Sequence, residues 1–569
     1  MSSEDSKNIP LDENARLPSE DEIEYQANNG KSLYRFVRVA KAERKMFWIM
    51  ALMFFFISFI YSVARVFKDS AVLGRQHFTS IQFLKFFVIL PLSVISVGVI
   101  QKYLDKYPFS KIFNAVLIIF GVSFCVLSVL LFNNKHTYIL LRPFWARDKF
   151  ADAKCVVKGI DFLFGFALVC NEWTSSFIYV LSELFGSLIL SYLFMTFANG
   201  LNTPGQSARF VPLFYVGANL ALFLSGLGIL TFNKYKPMMT YAKAQMIFNG
   251  FFFVCGILCF VIYALKNYLE FNVTNKPIFV RKTVTKKKNK VKVSFMEGLI
   301  EMSKSKLLLN ISGIVLFYSI STNVIEGAYK MALTVGAKET GQSKSAYTET
   351  YTAFEQLGVA VLVMLLLLTP FPRLVKTKGW IFIAILCPII TLFCTLGTFS
   401  LAFFNYPITN GEDNIIFKSL KLNTTTSLIK LENLVGVICV SLMKISKYAA
   451  FDITKEALAM QIDGSLRAKY KGIFDGIFGK LGKSFGSIYG LIITGLLQTR
   501  DIRKAAPISF CLLICFCVIW FYSVFYLNRK YKESIDNNCP IDIDLFSSTK
   551  NKLEKSDSSV ATKSVEAEI

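Results

Sequence analysis

Apolar runs of about twenty residues recur along this chain between charged breaks, and that is the length a helix needs to cross ~30 Å of hydrocarbon. They fall near residues 46–66, 82–101, 112–132, 174–200, 210–231 and 240–267. After a long basic interruption they resume near 306–328, 351–370, 380–404, 432–455, 472–498 and 505–527. With 53% of residues hydrophobic and 55 Phe among 569, the chain is too apolar for an ordinary soluble domain. The pattern predicts an all-α polytopic membrane protein with 12 transmembrane helices in two pseudo-symmetric six-helix halves.

The breaks set the expected topology. Residues 1–45 read as a cytoplasmic tail, polar and acidic at first (Glu4, Asp5, Asp12, Glu13, Asp21, Glu22, Glu24) and without the apolar stretch of a signal peptide. Lys31, Arg35, Arg38, Lys41, Arg44 and Lys45 then hold it inside by the positive-inside rule. The halves, 46–268 and 305–527, are joined by a cytoplasmic linker, 269–304, that carries Lys276, Arg281, Lys282 and Lys286 to Lys288. Even numbers of crossings return the loops Lys102–Lys111 and Arg373–Lys378, and the polar C-terminal tail 528–569, to the same side. The apolar segment 160–171 is too short to cross and is expected at the interface or as a re-entrant piece before span 4. On this topology the sequon Asn272-Val-Thr274 is cytoplasmic and unmodified, while Asn423-Thr-Thr425 lies in an external loop. Of the formal charge of +24, basic cytoplasmic loops account for most, and an anionic substrate would account for the rest.

The titratable inventory argues against catalysis. Most of the twelve Cys sit inside apolar runs (Cys125, Cys255, Cys259, Cys394, Cys439, Cys511, Cys515) without CxxC pairs, so they read as small core residues. His77 and His136 are the only histidines, too few for a triad or a metal-histidine site. No cofactor and no metal are expected, and a membrane-embedded transferase is poorly supported because it needs paired acids with a metal or His.

Function is expected instead from charges at membrane depth, which cost about 2.5–3.5 kcal/mol each on insertion scales and usually face a partner or a watery cavity. Tyr61-Ser-Val-Ala-Arg65-Val-Phe-Lys68-Asp69 puts three of them at the far end of span 1. Span 4 carries Glu183, and span 7 carries Asn323, Glu326 and Lys330, with Lys330 one turn on and able to neutralise Glu326. In span 10, Lys444, Lys447, Phe451 and Lys455 step by three, four and four, which predicts one helical face beside Asp452 and Glu456. A stripe of ammonium groups suits a polyanion such as a phosphate chain, although Lys455 also reads as snorkelling to the interface. Gly482-Lys-Ser484 is no phosphate loop, because a Walker motif needs Gly where Ile477 stands. Glycines at 472, 476, 479, 482, 486 and 490 are spaced for close helix packing instead. The halves also echo each other: Tyr61-Ser62 precedes Lys68 by seven residues, and Tyr318-Ser319 precedes Glu326 by eight. Pseudo-symmetric halves around a central site are the arrangement of alternating-access carriers.

The chain resembles the ATP:ADP antiporters of the plastid and intracellular-parasite type over about residues 45–530. The matching residues are Arg65-Val-Phe-Lys68-Asp69, Glu183-Leu-Phe-Gly186-Ser187, Phe197-Ala198-Asn199, Gly217-Ala-Asn219, Ser225-Gly226, Phe451-Asp452 with Lys455-Glu456, and Leu481-Gly-Lys-Ser484. Val66, Phe185 and Thr454 depart from the residues usual there, and they question substrate preference more than transport. The resemblance implies a major-facilitator-like fold, exchange of ATP for ADP, and four charged positions that matter for transport: Lys68, Glu183, Glu326 and Lys455. With it, Arg65, Lys68, Lys444, Lys447 and Lys455 are expected to bind phosphates, with Asn323 in the site, Tyr61 or a neighbouring aromatic to stack on the base, and Glu183 and Glu326 to hold the basic groups when the site is empty. A carrier of other phosphorylated organic anions or a proton-coupled nucleotide symporter is the alternative. The expected partners are ATP, ADP and the lipid bilayer, with no nucleic acid, and a monomer is the default. A composition rich in Lys, Asn, Ile and Phe resembles that of microsporidian members, which points to the plasma membrane of an intracellular parasite, with an organelle membrane as the other reading.

Overall fold

The computed structural model describes residues 39–104, 106–132, 164–202, 204–274, 303–369, 378–411, 426–462, 474, 478–537 and 539–541. The regular elements among them are helices. Eleven are long and apolar enough to cross a membrane: α1 (Lys41–Arg75), α2 (Phe78–Leu104), α3 (Phe109–Val129), α4 (Trp173–Leu201), α5 (Arg209–Met238), α6 (Ala242–Asn272), α7 (Lys306–Glu339), α8 (Lys344–Leu367), α9 (Trp380–Asn410), α10 (Ile429–Met460) and α12 (Ile502–Asp536). The twelfth expected span is represented by a shorter helix, α11 (Gly479–Leu496), whose first turns carry Lys480 and Lys483. The segment expected to lie at the interface forms an eight-residue helix, Phe164–Asn171, too short to cross. It packs beside the start of α2, where Ser80 Oγ donates to the Gly165 carbonyl at 3.4 Å. The N-terminal tail up to Arg38, most of the basic linker, the Asn423 sequon and the end of the C-terminal tail lie outside the described residues.

Helix ends follow local signals. Ser305 and Ser343 cap α7 and α8 by accepting from Leu308 N at 3.2 Å and Ala346 N at 3.3 Å, and α9 stops at Gly411, which takes the left-handed conformation at φ 66°. Several helices nevertheless outrun the expected spans. The apolar run of span 1 was expected to end at residue 66, whereas α1 continues to Arg75; span 8 was expected from 351, whereas α8 starts at Lys344. The cause is that the charges which seemed to close these spans are paired inside the protein and do not have to reach water.

Side chains divide into two main cores. One runs from Val39 to Val273 with Ala353, the other from Leu307 to Ile541. Aromatic packing dominates the first: Phe54 lies 4.8 Å from Phe194, and Phe67 4.8 Å from Phe248. The buried Cys255 and Cys259 lie beside a close approach of α3 and α6, where a Cβ on Gly256 would meet the Gly121 carbonyl at 2.9 Å. Of the spaced glycines, Gly482, Gly486 and Gly490 of α11 sit at close approaches, while Gly472 and Gly476 lie outside the described residues. A Cβ on Gly482 would meet Ser319 of α7, on Gly486 the Asn323 side chain at 2.8 Å, and on Gly490 the Gln82 side chain of α2.

Cross-half polar contacts begin near mid-α1 and continue toward its Arg75 end. Gln356 Nε2 of α8 donates to the Ser62 carbonyl at 3.0 Å and accepts, through Oε1, from Ser225 Oγ of α5 at 3.3 Å. At that end Asn233 meets Thr350 at 3.4 Å and Lys236 pairs with Glu349 at 3.6 Å. Among the described residues no ion pair joins the two cores near the Lys41 end.

Candidate functional site

The charged residues Arg65, Lys68 and Asp69 of α1 meet partners from three other helices, α4, α7 and α8. Lys68 Nζ is 2.6 Å from Glu183 of α4 and 3.3 Å from its neighbour Asp69, and it lies 4.1 Å above the Tyr179 ring. Asp69 turns its other oxygen to Lys330 of α7 at 2.9 Å, and Lys330 also holds Glu326 at 2.9 Å. Glu183, Lys68, Asp69, Lys330 and Glu326 thus form one alternating ribbon that crosses from the first core to the second. Asp69 is the link that makes the crossing.

A second bridge involves a residue that sequence reasoning missed. Glu355 of α8 is buried, and its Oε1 accepts from Arg65 of α1 at 3.3 Å and from Lys444 of α10. Lys85 of α2, also missed, donates to Asn323 Oδ1 of α7 at 2.7 Å. Tyr61 closes the α4 side, with its ring against Gly186 so tightly that a Cβ there would collide with it.

Accessibility separates wall from lining. Lys68, Asp69, Lys330 and Glu355 are buried, whereas Tyr61, Arg65, Lys85, Glu183, Asn323, Glu326 and Lys444 are half-buried, and Lys483 and Tyr448 are exposed. Deep charges with residual exposure thus surround the buried ones in one polar cluster at the junction of the two cores. Its set of six cations (Arg65, Lys68, Lys85, Lys330, Lys444, Lys483) and four carboxylates (Asp69, Glu183, Glu326, Glu355) carries a surplus of two positive charges. The arrangement can bind a polyanion. Among the described residues there is no cluster of ligating side chains able to hold a metal ion.

Lys447 and Lys455 sit differently. The helix of span 10 is interrupted by a π turn over Lys447–Phe451, and one extra residue rotates the rest of the helix by about 100°. The expected single stripe is therefore broken. Lys444 faces Glu355, while Lys455 lies beyond the turn, 3.2 Å from Asp452 and over the Phe451 ring; Lys447 is 4.0 Å from the same Asp452. Two further π turns, Leu84–Ile89 and Gly186–Phe194, begin beside Lys85 and Glu183. Such turns are rare and concentrate at functional sites.

A family model described as TLC ATP/ADP transporter matches residues 24–531. The chain belongs to the TLC ATP/ADP transporter family. It is 38% identical to ADP,ATP carrier protein 1 of Encephalitozoon cuniculi (strain GB-M1) over 542 residues, covering 95% of this chain and 96% of that relative. ADP,ATP carrier protein 1 of Paranosema grylli is 37% identical, with 93% and 96% covered, and ADP,ATP carrier protein 1 of Rickettsia prowazekii (strain Madrid E) is 27% identical, with 88% and 96% covered. Among solved structures, the fold is similar to that of a bacterial homologue of the iron transporter ferroportin in an inward-facing state, with a TM-score of 0.50 at 12% identity, covering 87% of this chain and all of that one. This family member is thus an all-helical integral membrane protein of major-facilitator-like fold, a transport protein by family.

Proposed function

We propose that the protein exchanges ATP for ADP across the plasma membrane of an intracellular parasite, as a monomer with both termini in the parasite cytoplasm. The observation that carries this is the cluster of deep, partly exposed charges with surplus positive charge, built in a member of this transporter family. Six-helix halves rock about this site, and with cytoplasmic termini the conformation described, bridged at the Arg75 end of α1, is the inward-facing one.

Phosphates engage Arg65, Lys68 and Lys444, with Lys447 and Lys455 along the route, and Tyr61 stacks on the base. Asn323 steadies the basic groups, and Glu183 and Glu326 hold them in the empty state. Glu355 occupies the place between Arg65 and Lys444 that a phosphate takes when the nucleotide enters. Without substrate, reorientation separates α1 from α8 and α7, which breaks Arg65–Glu355 and Asp69–Lys330; disrupting buried pairs costs about 3–5 kcal/mol each when one partner is left bare. With a phosphate in place of Glu355 that penalty falls, so loaded carriers turn over and empty ones do not. Exchange of ATP for ADP moves about one net charge, worth ~2.3 kcal/mol per 100 mV, so direction follows voltage as well as gradients.

The test is uptake of labelled ATP by proteoliposomes with and without internal ADP, competed by unlabelled nucleotides and by sugar phosphates. Uptake that depends on internal ADP and yields to nucleotides alone is expected. Uptake competed by sugar phosphates as well would replace nucleotides with phosphorylated organic anions in general, and uptake that instead collapses with a proton uncoupler would make the protein a symporter.

A further inference from the structure

Far from the exchange site, two lysines near the starts of α1 and α7 are placed alike. Lys45 of α1 lies 5.1 Å from the ring centroid of Tyr268 of α6, and Lys306 of α7 lies 5.1 Å from that of Tyr526 of α12. Each pair joins the first and last helices of its half, and in both halves those helices pack against each other. Both lysines stand where an apolar run begins and both tyrosines where one ends, which is the depth of lipid headgroups. One turn further into the apolar runs, Trp48 and Ala264 are exposed beside the first pair, and Leu309 and Tyr522 beside the second.

A lysine at this level ordinarily snorkels toward water. These two reach across to a neighbouring helix instead and stop over an aromatic face, which attracts the cation without neutralising it. The acids nearby are already engaged: Glu43 by Arg209 and Gln206, Glu270 by Lys266, and Glu533 by Arg529 and Lys530. Among the described residues neither Lys45 nor Lys306 has a carboxylate at ion-pair distance. Lys266 shows the contrast, since it also lies over rings of other helices, Phe113 and Phe197, but is buried and has Glu270 as its counter-ion. We propose that Lys45 with Tyr268 and Lys306 with Tyr526 are two binding sites for the phosphate of an anionic phospholipid, one in each half. The acyl chains lie along Trp48 and Ala264 in the first site and along Leu309 and Tyr522 in the second. In the orientation proposed above, both sites face the cytoplasmic leaflet, where anionic lipids concentrate. A zwitterionic headgroup brings its own cation, which the ammonium repels, so net negative lipids are preferred. A lipid bound at either site ties the first helix of that half to the last.

The experiment adds phosphatidylglycerol, phosphatidylcholine or inorganic phosphate to the purified full-length protein in detergent, and reads retained ligand by native mass spectrometry beside the unfolding temperature. Wild-type protein is expected to retain two phosphatidylglycerol molecules, each held about fivefold more tightly than phosphatidylcholine, the effect of one Lys near an anionic headgroup, and to unfold at a higher temperature with them. Inorganic phosphate has no chains to lie along the helices and should change neither reading. Lys45→Gln and Lys306→Gln should each retain one molecule and the double variant none. Lys45→Arg and Lys306→Arg keep the cation on an altered stem, so retention of both lipids by them separates charge from folding. Equal retention by the wild type and the double variant, phosphatidylcholine held as tightly as phosphatidylglycerol, or the same stabilisation by inorganic phosphate would each overturn the proposal. Loss of lipid at one lysine alone would overturn the correspondence between the halves.

Discussion

Counted from the first helix of each half, corresponding spans carry opposite charge at the site. Lys68 on α1 answers to Glu326 on α7, Lys85 on α2 to Glu355 on α8, and Glu183 on α4 to Lys444 on α10. In both α4 and α10 the charged residue stands three positions before a π turn, at Gly186 and at Lys447. The halves are therefore complementary rather than copies, and complementarity is what lets Asp69 reach Lys330 and Arg65 reach Glu355 across the interface. A site built from two like-charged halves would repel itself when empty. This one holds itself shut with its own carboxylates and keeps enough excess cation to prefer a polyanion.

Removing the cation at the centre strains this complementarity most. Lys68→Ala leaves Glu183 without its ion-pair partner and Asp69 with Lys330 alone, and labelled ATP uptake is expected to fall by about a hundredfold or more, in line with 3–5 kcal/mol for a broken buried pair. Because Lys68 and Glu183 both belong to the first half, the exchange Lys68→Glu with Glu183→Lys should recover part of the uptake that either single change loses; no recovery would place the importance of Lys68 outside this pair. On the other half, Lys444→Ala frees Glu355 for Arg65 alone, and a rise in KM of about ten- to thirtyfold is expected, as for one charge-assisted contact. Gly486→Ala presses on Asn323 across the α7–α11 contact, and overpacking of about 1–3 kcal/mol should appear as a lower unfolding temperature of the purified protein together with weaker transport. Lys455→Ala is expected to be mildest, about threefold or less, because its partner Asp452 is one-third exposed and water competes for the pair, which holds such contacts to about 0–1 kcal/mol. Uptake by Lys455→Ala as low as by Lys68→Ala would mean that Lys455 leaves Asp452 and enters the central cluster when substrate binds.

Much of this site was legible in the chain, because a charge inside a long apolar run stands out whatever the fold. Arg65, Lys68, Glu183, Glu326 and Lys444 were visible for that reason. Glu355 and Lys85 were hidden by the expected span boundaries. A span drawn from 351 leaves Glu355 at its rim, whereas α8 begins at Lys344 and carries it three turns inward; α2 begins at Phe78, so Lys85 is two turns deep and not at the entrance. Apolar-run boundaries err toward the shorter helix where charges are satisfied by partners, and those are the charges that matter. The stripe on α10 misled for a different reason: spacing arithmetic assumes 3.6 residues per turn, and the π turn over Lys447–Phe451 does not keep it.

Coupling of the two halves to substrate depends most on Glu355 as the internal stand-in for a phosphate. Liposomes carrying the protein are preloaded with labelled ADP and diluted into buffer with or without external ATP. Wild-type protein should release label only when ATP is outside. Glu355→Gln, which gives up the charge that binds Arg65 across the halves, should release it into nucleotide-free buffer at a rate approaching that of exchange. A Glu355→Gln protein that still exchanges, and still retains its label without external nucleotide, would contradict that role.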